Sequence, residues 1–220
     1  MSIKCAIVDY SKGNLRSAQK GLELAGADAF ILADAKQIAT ADAIVLPGVG
    51  SFADASASML ANGQMQVIRE RVQAGVPFLG ICLGLQLLFE SGDEGSTKGF
   101  AQGLGLLKGS CCRIATTDKQ GLKYKVPHVG WNQVHFATDN EDLLNPLFCG
   151  IPDGSNFYFT HSYQANPENA NNVIATVRHA TEFTCAIRHE NILATQFHPE
   201  KSSHMGLAIL RNFVAFVKGI

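Results

Sequence analysis

VPFLGICLGLQLLF, residues 76–89, sets Cys82 between Gly80 and Gly84 inside an otherwise apolar run. A lone cysteine in such a run is ordinarily a small packed hydrophobe. Here the run follows Gly75 and opens as PFLGI, a continuous apolar strand of the kind found in a sheet covered on both faces. Beyond Cys82 the pattern becomes helical, so Gly-x-Cys-x-Gly falls where a strand turns into a helix. That is the form of a nucleophile elbow, in which a strained turn presents the central side chain and small neighbours let strand and helix approach. The helix N-terminus beneath favours a thiolate, and the next backbone N–H is free to stabilise an oxyanion. A cysteine packed in a tight strand-to-helix turn would have the same spelling, so the reading needs a partner base.

QFHPEKS, residues 196–202, supplies one. His198 and Glu200 stand at i and i+2, and Pro199 favours extension at His198, so in an extended chain both side chains share a face. A carboxylate there orients the imidazole and stabilises its charged form. The same alternation would point Lys201 the other way. A solvated His and Glu at a strand end is the plain alternative for this pair, and the combination with the elbow is more specific than either part.

The surrounding pattern is that of an α/β fold. IKCAIVD and AIVL read as strands. Leu15, Ala18, Leu22 and Ala25 make a helical stripe ended by Gly26, and Met65, Ile68 and Val72 share one face of another helix. In the second half NFYFTHSY, NVIATVRH, FTCAIRH and ILATQFH are short strand-like runs, the last two joined by Glu190-Asn191, and Ile209, Phe213, Phe216 and Val217 mark a closing helix. The expected fold is a mostly parallel sheet with helices on both faces, with antiparallel strands added in the C-terminal half. With no repeat and no low-complexity linker, residues 1–220 are expected to form a single domain.

Composition narrows the function. The 220 residues are 46% hydrophobic and 17% charged with a net charge of −1, which lacks the basic footprint of a nucleic-acid binder. No apolar run reaches the ~18 residues of a membrane span. MSIKCAIVDY has no apolar core followed by a small-residue cleavage site, so a cytoplasmic location is expected. The six cysteines include no C-x-x-C pair and are expected to be free thiols, with no metal and no cofactor.

PGVGSF, GICLGLQLLF and QFHPEKS, in that order over about residues 44–202, resemble the triad-type (class I) glutamine amidotransferases. The resemblance implies a flavodoxin-like sheet, with Cys82 as nucleophile, His198 as general base and acid, and Glu200 as the orienting carboxylate. It implies oxyanion donors at the backbone N–H groups of Val49 and Leu83, with Gly48 and Gly50 permitting close approach. Gln86, His161, Ser162 and Tyr163 are implied to hold L-glutamine. Within the family, DYSKGNLRS, VPHVGWNQV and NFYFTHSY are similar to glutaminase subunits that pass ammonia to a (β/α)8-barrel cyclase in histidine biosynthesis. That likeness implies a heterodimer whose interface includes Asn14, Trp131, Tyr158 and Lys201. CCRIATTDKQGLKYK, residues 111–125, departs from the pattern as a longer polar insertion.

Rival readings differ in context. GVGSFA, residues 48–53, matches the dinucleotide fingerprint, but that motif belongs in the first strand-to-helix turn with an acidic residue ending a strand ~20 residues on. Here Glu70 lies in a helical pattern. An α/β-hydrolase would place its acid before its histidine. A glutaminase serving another ammonia-channelling complex, and a scaffold keeping the triad only as a relic, stay open at this level.

Overall fold

A computed structural model describes residues 2–97, 99–144 and 146–219, apart from the side chains of Glu141 and Leu143. In chain order the strands are β1 (Lys4–Val8), β2 (Asp28–Leu32), β3 (Ala43–Gly48), β4 (Phe78–Cys82), β5 (Ser91–Gly92), β6 (Ala101–Gln102) and β7 (Gly109–Arg113). There follow β8 (His128–Phe136), β9 (Asn156–His161), β10 (Tyr163–Pro167), β11 (Val173–His179), β12 (Thr181–His189) and β13 (Ile192–Thr195). The helices are α1 (Leu15–Leu24), α2 (Ala35–Ile38), α3 (Phe52–Ala61), α4 (Gln64–Gln73), α5 (Leu83–Gln86), α6 (Glu141–Leu144) and α7 (Ser203–Gly219).

The parallel part of the sheet runs β2-β1-β3-β4-β13. Its inner strands are continuous apolar runs because both faces are covered. Alternate residues go to opposite sides. Cys5, Ile7, Val45 and Leu79 meet Leu22 of α1 and Leu210 and Phe213 of α7, while Ala6, Val8, Ile44 and Leu46 meet Met59 of α3 and Met65 and Ile68 of α4. The stripes expected in α1, α4 and α7 are the buried faces of these helices. Gly26, at φ +93°, follows α1 where only glycine is comfortable. β2 is an edge strand with Ala29 buried and Asp28 and Phe30 exposed, and its apolar run AFIL is too short for periodicity to tell a strand from a helix segment.

β13 is the junction of the two halves. It pairs antiparallel with β12 across Glu190-Asn191, as the sequence suggests, and parallel with β4 on its other side. Antiparallel β12, β10, β11, β8 and β9 extend the sheet from there. Antiparallel pairing also occurs earlier than expected, between β5 and β6, just after the elbow. The polar stretch at 111–125 completes β7 and then folds into a small capped turn. Thr117 bridges Lys123, and the Asp118 carboxylate accepts the N–H groups of Gln120 and Leu122 at 2.9 Å each.

Register decides what meets at the carboxyl edge of the parallel strands. Gly48 lies opposite Cys82 and Thr195 opposite Ile81, so the ends of β3, β4 and β13 converge where α/β sheets open to ligands. The fingerprint-like GVGSFA therefore follows the third strand, and Glu70 sits within α4.

Candidate active site

Cys82 ends β4 at φ +55° and ψ −104°, a conformation that side chains rarely adopt. It is held there by crowding on both sides. A Cβ on Gly84 would overlap the Leu46 carbonyl, and one on Gly80 would come within 2.7 Å of the Gly84 oxygen. The elbow thus requires both glycines, and it aims the sulfur into a cavity of about 320 Å³. Val49, Gly50, Leu83, Gln86, Glu94, Pro127, and Thr160 to Tyr163 line that cavity with Cys82. Of the residues expected to bind glutamine or its oxyanion, only Gly48 lies beneath the wall, packed on Tyr10 and Leu83.

His198 and Glu200 meet, though not by strand alternation. The expectation of an extended 198–201 segment is corrected: only His198 is extended, and Pro199–Lys201 form a 3₁₀ turn. The proline starts that turn, as its fixed φ allows. The curl brings the Glu200 Oε1 within 2.8 Å of His198 Nδ1, with both side chains almost wholly buried. Ser202 pins the turn to β9, accepting the Tyr158 N–H at 2.9 Å while its hydroxyl donates to the His198 carbonyl at 2.7 Å.

His198 Nε2 is buried without a hydrogen-bond partner among the described residues. Burial opposes charge on the ring, but the adjacent Cys82 sulfur and the Glu200 carboxylate outweigh it and push the pKa up to about 10. The three groups therefore act on one another electrically.

Other contacts were not anticipated from the sequence. Asn14, expected at a partner interface, sits at the start of α1 with its amide 3.5 Å from Glu200 Oε1. Tyr10 is buried under Gly48; burial and then the charge of Cys82 raise its pKa. Gln86, expected to touch substrate, donates through Nε2 to the Tyr163 carbonyl at 2.9 Å and to Gln196 Oε1 at 3.1 Å.

His161 is also engaged internally. Its Nδ1–H donates to the Tyr163 carbonyl at 2.8 Å, which leaves Nε2 to accept from His128 Nδ1 at 3.1 Å. His128 Nε2 accepts in turn from Asn132 at 3.2 Å. Only neutral rings satisfy this chain, and burial lowers the pKa of His161 to about 3 and of His128 to about 4. Nothing in the sequence linked His128 to His161. The β8–β9 register, which sets them opposite each other, brings them together.

Three of the residues expected at an interface form one strip, with Trp131 and Lys201 exposed and Tyr158 half-buried between them. Trp131 and Tyr158 face each other across β8 and β9 with ring centroids 6.2 Å apart, and Lys201 Nζ stands 5.8 Å from the Tyr158 centroid. Trp131 is 56% exposed, and Val129 on the same strand 57%. Among the described residues no group of side chains has the arrangement of a metal site, and no helix is long and apolar enough to cross a membrane.

Residues 6–216 match the family model of class-I glutamine amidotransferases. Among curated relatives, the imidazole glycerol phosphate synthase subunit HisH of Syntrophotalea carbinolica is 45% identical over 94% of this chain and 97% of its own. The subunit of the same name from Nostoc punctiforme is 46% identical over 97% and 96%. Among solved structures, PurLQS from Thermotoga maritima superimposes with a TM-score of 0.74 at 16% identity, over 98% of this chain and 99% of that one. The glutaminase domain of Trypanosoma brucei CTPS does so with a TM-score of 0.64 at 15% identity, over 99% and 94%. At those identities the two structures speak for the fold alone. The family match and the near full-length relatives go further: the chain belongs to the class-I glutamine amidotransferases, and within them to the family of the HisH subunits of imidazole glycerol phosphate synthase.

Proposed function

We propose that this chain is the glutaminase of an imidazole glycerol phosphate synthase, a cytosolic single-domain enzyme that hydrolyses L-glutamine through a thioester on Cys82 and passes the ammonia to a (β/α)8-barrel cyclase. The observation that supports it best is the elbow-held Cys82 beside a buried His198–Glu200 pair joined at 2.8 Å.

Charge balance gives the order of events. With Cys82 as thiolate and His198 protonated, the sulfur attacks the side-chain amide carbon, and the oxyanion is held by the N–H groups of Leu83 and Val49. His198 gives its proton to the nitrogen as the C–N bond breaks, and ammonia leaves. The sulfur is then neutral in the thioester, so one influence that held the proton on His198 is gone. The ring is now a base. It takes a proton from water, the hydroxide attacks the acyl carbon, and collapse returns the thiolate and releases glutamate. Glu200 orients the ring throughout.

Among the described residues, Glu94 is the one carboxylate on the cavity wall. Burial raises its pKa, and its Oε2 accepts the Phe52 N–H at 3.2 Å, which fixes it in place. In this reading it meets the α-ammonium of glutamine. Glu94→Gln is expected to raise KM for glutamine about tenfold with a much smaller change in kcat, since a charge-assisted hydrogen bond becomes a neutral one. Equal loss in kcat at unchanged KM would remove Glu94 from substrate recognition.

Docking has a physical reason. Free ammonia is protonated in neutral water and loses its nucleophilic lone pair, whereas a closed passage keeps it reactive. The Trp131–Tyr158–Lys201 strip, beside the turn that carries His198, is where this reading places the cyclase. Lys201→Ala is expected to leave glutamine hydrolysis intact in the assembled complex while raising the ratio of glutamate to cyclised product severalfold. A ratio unchanged at saturating partner would return Lys201 to the solvent.

The test of the whole reading is a glutaminase assay on the isolated chain, repeated with a cognate cyclase and its nucleotide ligand. A large rise on assembly is expected. No turnover under either condition would leave the scaffold reading.

A further inference from the structure

Gln196 is fully buried, one residue beyond β13 and two before His198. The parallel register that pairs Thr195 with Ile81 carries it to the side of Cys82, where its Nε2 stands 3.5 Å from the sulfur. Its backbone N–H donates to the Cys185 carbonyl at 2.8 Å, so the residue is anchored from the sheet side as well.

The way its amide points is dictated by the neighbours. The Tyr163 carbonyl can only accept, so the Gln86 group that lies 2.9 Å from it is the NH₂ end. That same nitrogen is 3.1 Å from the Gln196 side chain, which must therefore offer its oxygen there. With Oε1 turned to Gln86, the remaining end of Gln196 is NH₂, and it faces the sulfur. An unambiguous acceptor two bonds away thus decides that Cys82 receives a donor.

We propose that Gln196 is a further catalytic residue of this site, whose amide N–H donates to the Cys82 sulfur whenever the sulfur bears negative charge. This inference rests on Cys82 being the nucleophile. The charged form occurs before attack on the amide and again when the thioester collapses, and a hydrogen bond to it favours it in both. Gln196 is suited to the task because its amide carries no charge at any pH, so it does not compete for the proton that His198 must move. Gln86 then acts as a positioning residue for Gln196.

The groups around the sulfur fix the controls. His198, backed by Glu200, faces it from the 3₁₀ turn; Tyr10 lies beneath it in the loop after β1; His161 and Glu94 share its cavity. None is altered by changing Gln196, so a shift in thiol reactivity in that variant reports on the amide.

The experiment measures alkylation of Cys82 by iodoacetamide across pH, read by mass spectrometry of its peptide, in the full chain and in Gln196→Leu and Gln196→Glu. Exposed Cys149 serves as the internal standard. At neutral pH the leucine variant is expected to alkylate about tenfold more slowly at Cys82, with Cys149 unchanged and the gap closing as pH rises. The nearly isosteric glutamate variant is expected to be slower still, because a carboxylate repels the thiolate. It also supplies the readout should circular dichroism show the leucine variant unfolded. In whichever variant folds, kcat/KM for glutamine is expected to fall by about tenfold to a hundredfold. A Cys82 alkylation profile that superimposes on wild type in a folded variant would overturn the role of Gln196. Failure of a glutamine-like diazo-ketone to label Cys82 in the unaltered chain would instead overturn the reading of Cys82 as nucleophile.

Discussion

Cys82→Ala is expected to abolish glutamine-dependent synthesis, by at least about 10⁴-fold, while the assembled complex still forms product from added ammonium salts. In the proposed mechanism no other group takes the place of the sulfur: the alanine variant keeps the cavity, His198 and Glu200 but lacks the thiol that would form the thioester. In the proposed reading the cyclase takes ammonia from either source. Loss of both activities would make Cys82 a structural residue. A diazo-ketone analogue of glutamine is expected to modify Cys82 alone among the six cysteines, since Cys82 is the one that lines the cavity where the analogue would bind; Cys5, Cys111 and Cys185 are buried elsewhere, and Cys112 and Cys149 lie outside the cavity lining. Modification spread over several thiols would count against a specific site.

His198→Ala is expected to cost more than Glu200→Gln, by about tenfold or more in kcat. In the proposed mechanism the imidazole moves a proton in both half-reactions, whereas the carboxylate orients and stabilises it, which an amide imitates in part. The two variants also differ in pH dependence. His198 is held above its ordinary value of 6.5, at about 10, so its contribution to stability is fully present below 6.5 and is lost as pH rises through about 10. Glu200→Gln removes one of the causes that raise it. The part of the high-pH fall in thermal stability that His198 causes is therefore expected to start at lower pH in that variant and to be missing from His198→Ala, which keeps the fall above about pH 9 that the buried Cys5, Cys111, Cys185 and Tyr10 cause in every variant. Melting curves between pH 6 and 11 check this, and identical curves for wild type and Glu200→Gln would mean that the carboxylate does not hold the proton.

The fold was largely legible because its signals are local. The apolar runs of β1, β3 and β4 declared a sheet covered on both faces, and the stripes of α1, α4 and α7 face the two clusters that cover it. What escaped were elements whose stability is not local. β2 is an edge strand whose apolar run AFIL is too short to tell from a helix segment by pattern alone, and β8, with HVGWNQVHF alternating buried and exposed positions only in part, is held by its neighbours on both sides. The turn at Pro199–Lys201 was read as extension because proline restrains the residue before it, while the residues after it are bent by Ser202 and α7.

The sequence by itself determined the parts of the site that lie within a few residues of one another. The glycines around Cys82 specify a crowded elbow, and the spacing of His198 and Glu200 brings a carboxylate to a ring, whichever backbone shape does it. Only the tertiary structure decided which distant residues join them. Parallel pairing of β13 with β4 sets Gln196 against Cys82 across 114 positions of chain, and the β8–β9 register sets His128 against His161. Such pairings depend on strand register, and register follows from burial of whole faces rather than from any short motif. For the same reason the direction of the Gln196 amide, settled by a backbone carbonyl on β10, could be read only once the strands were in place.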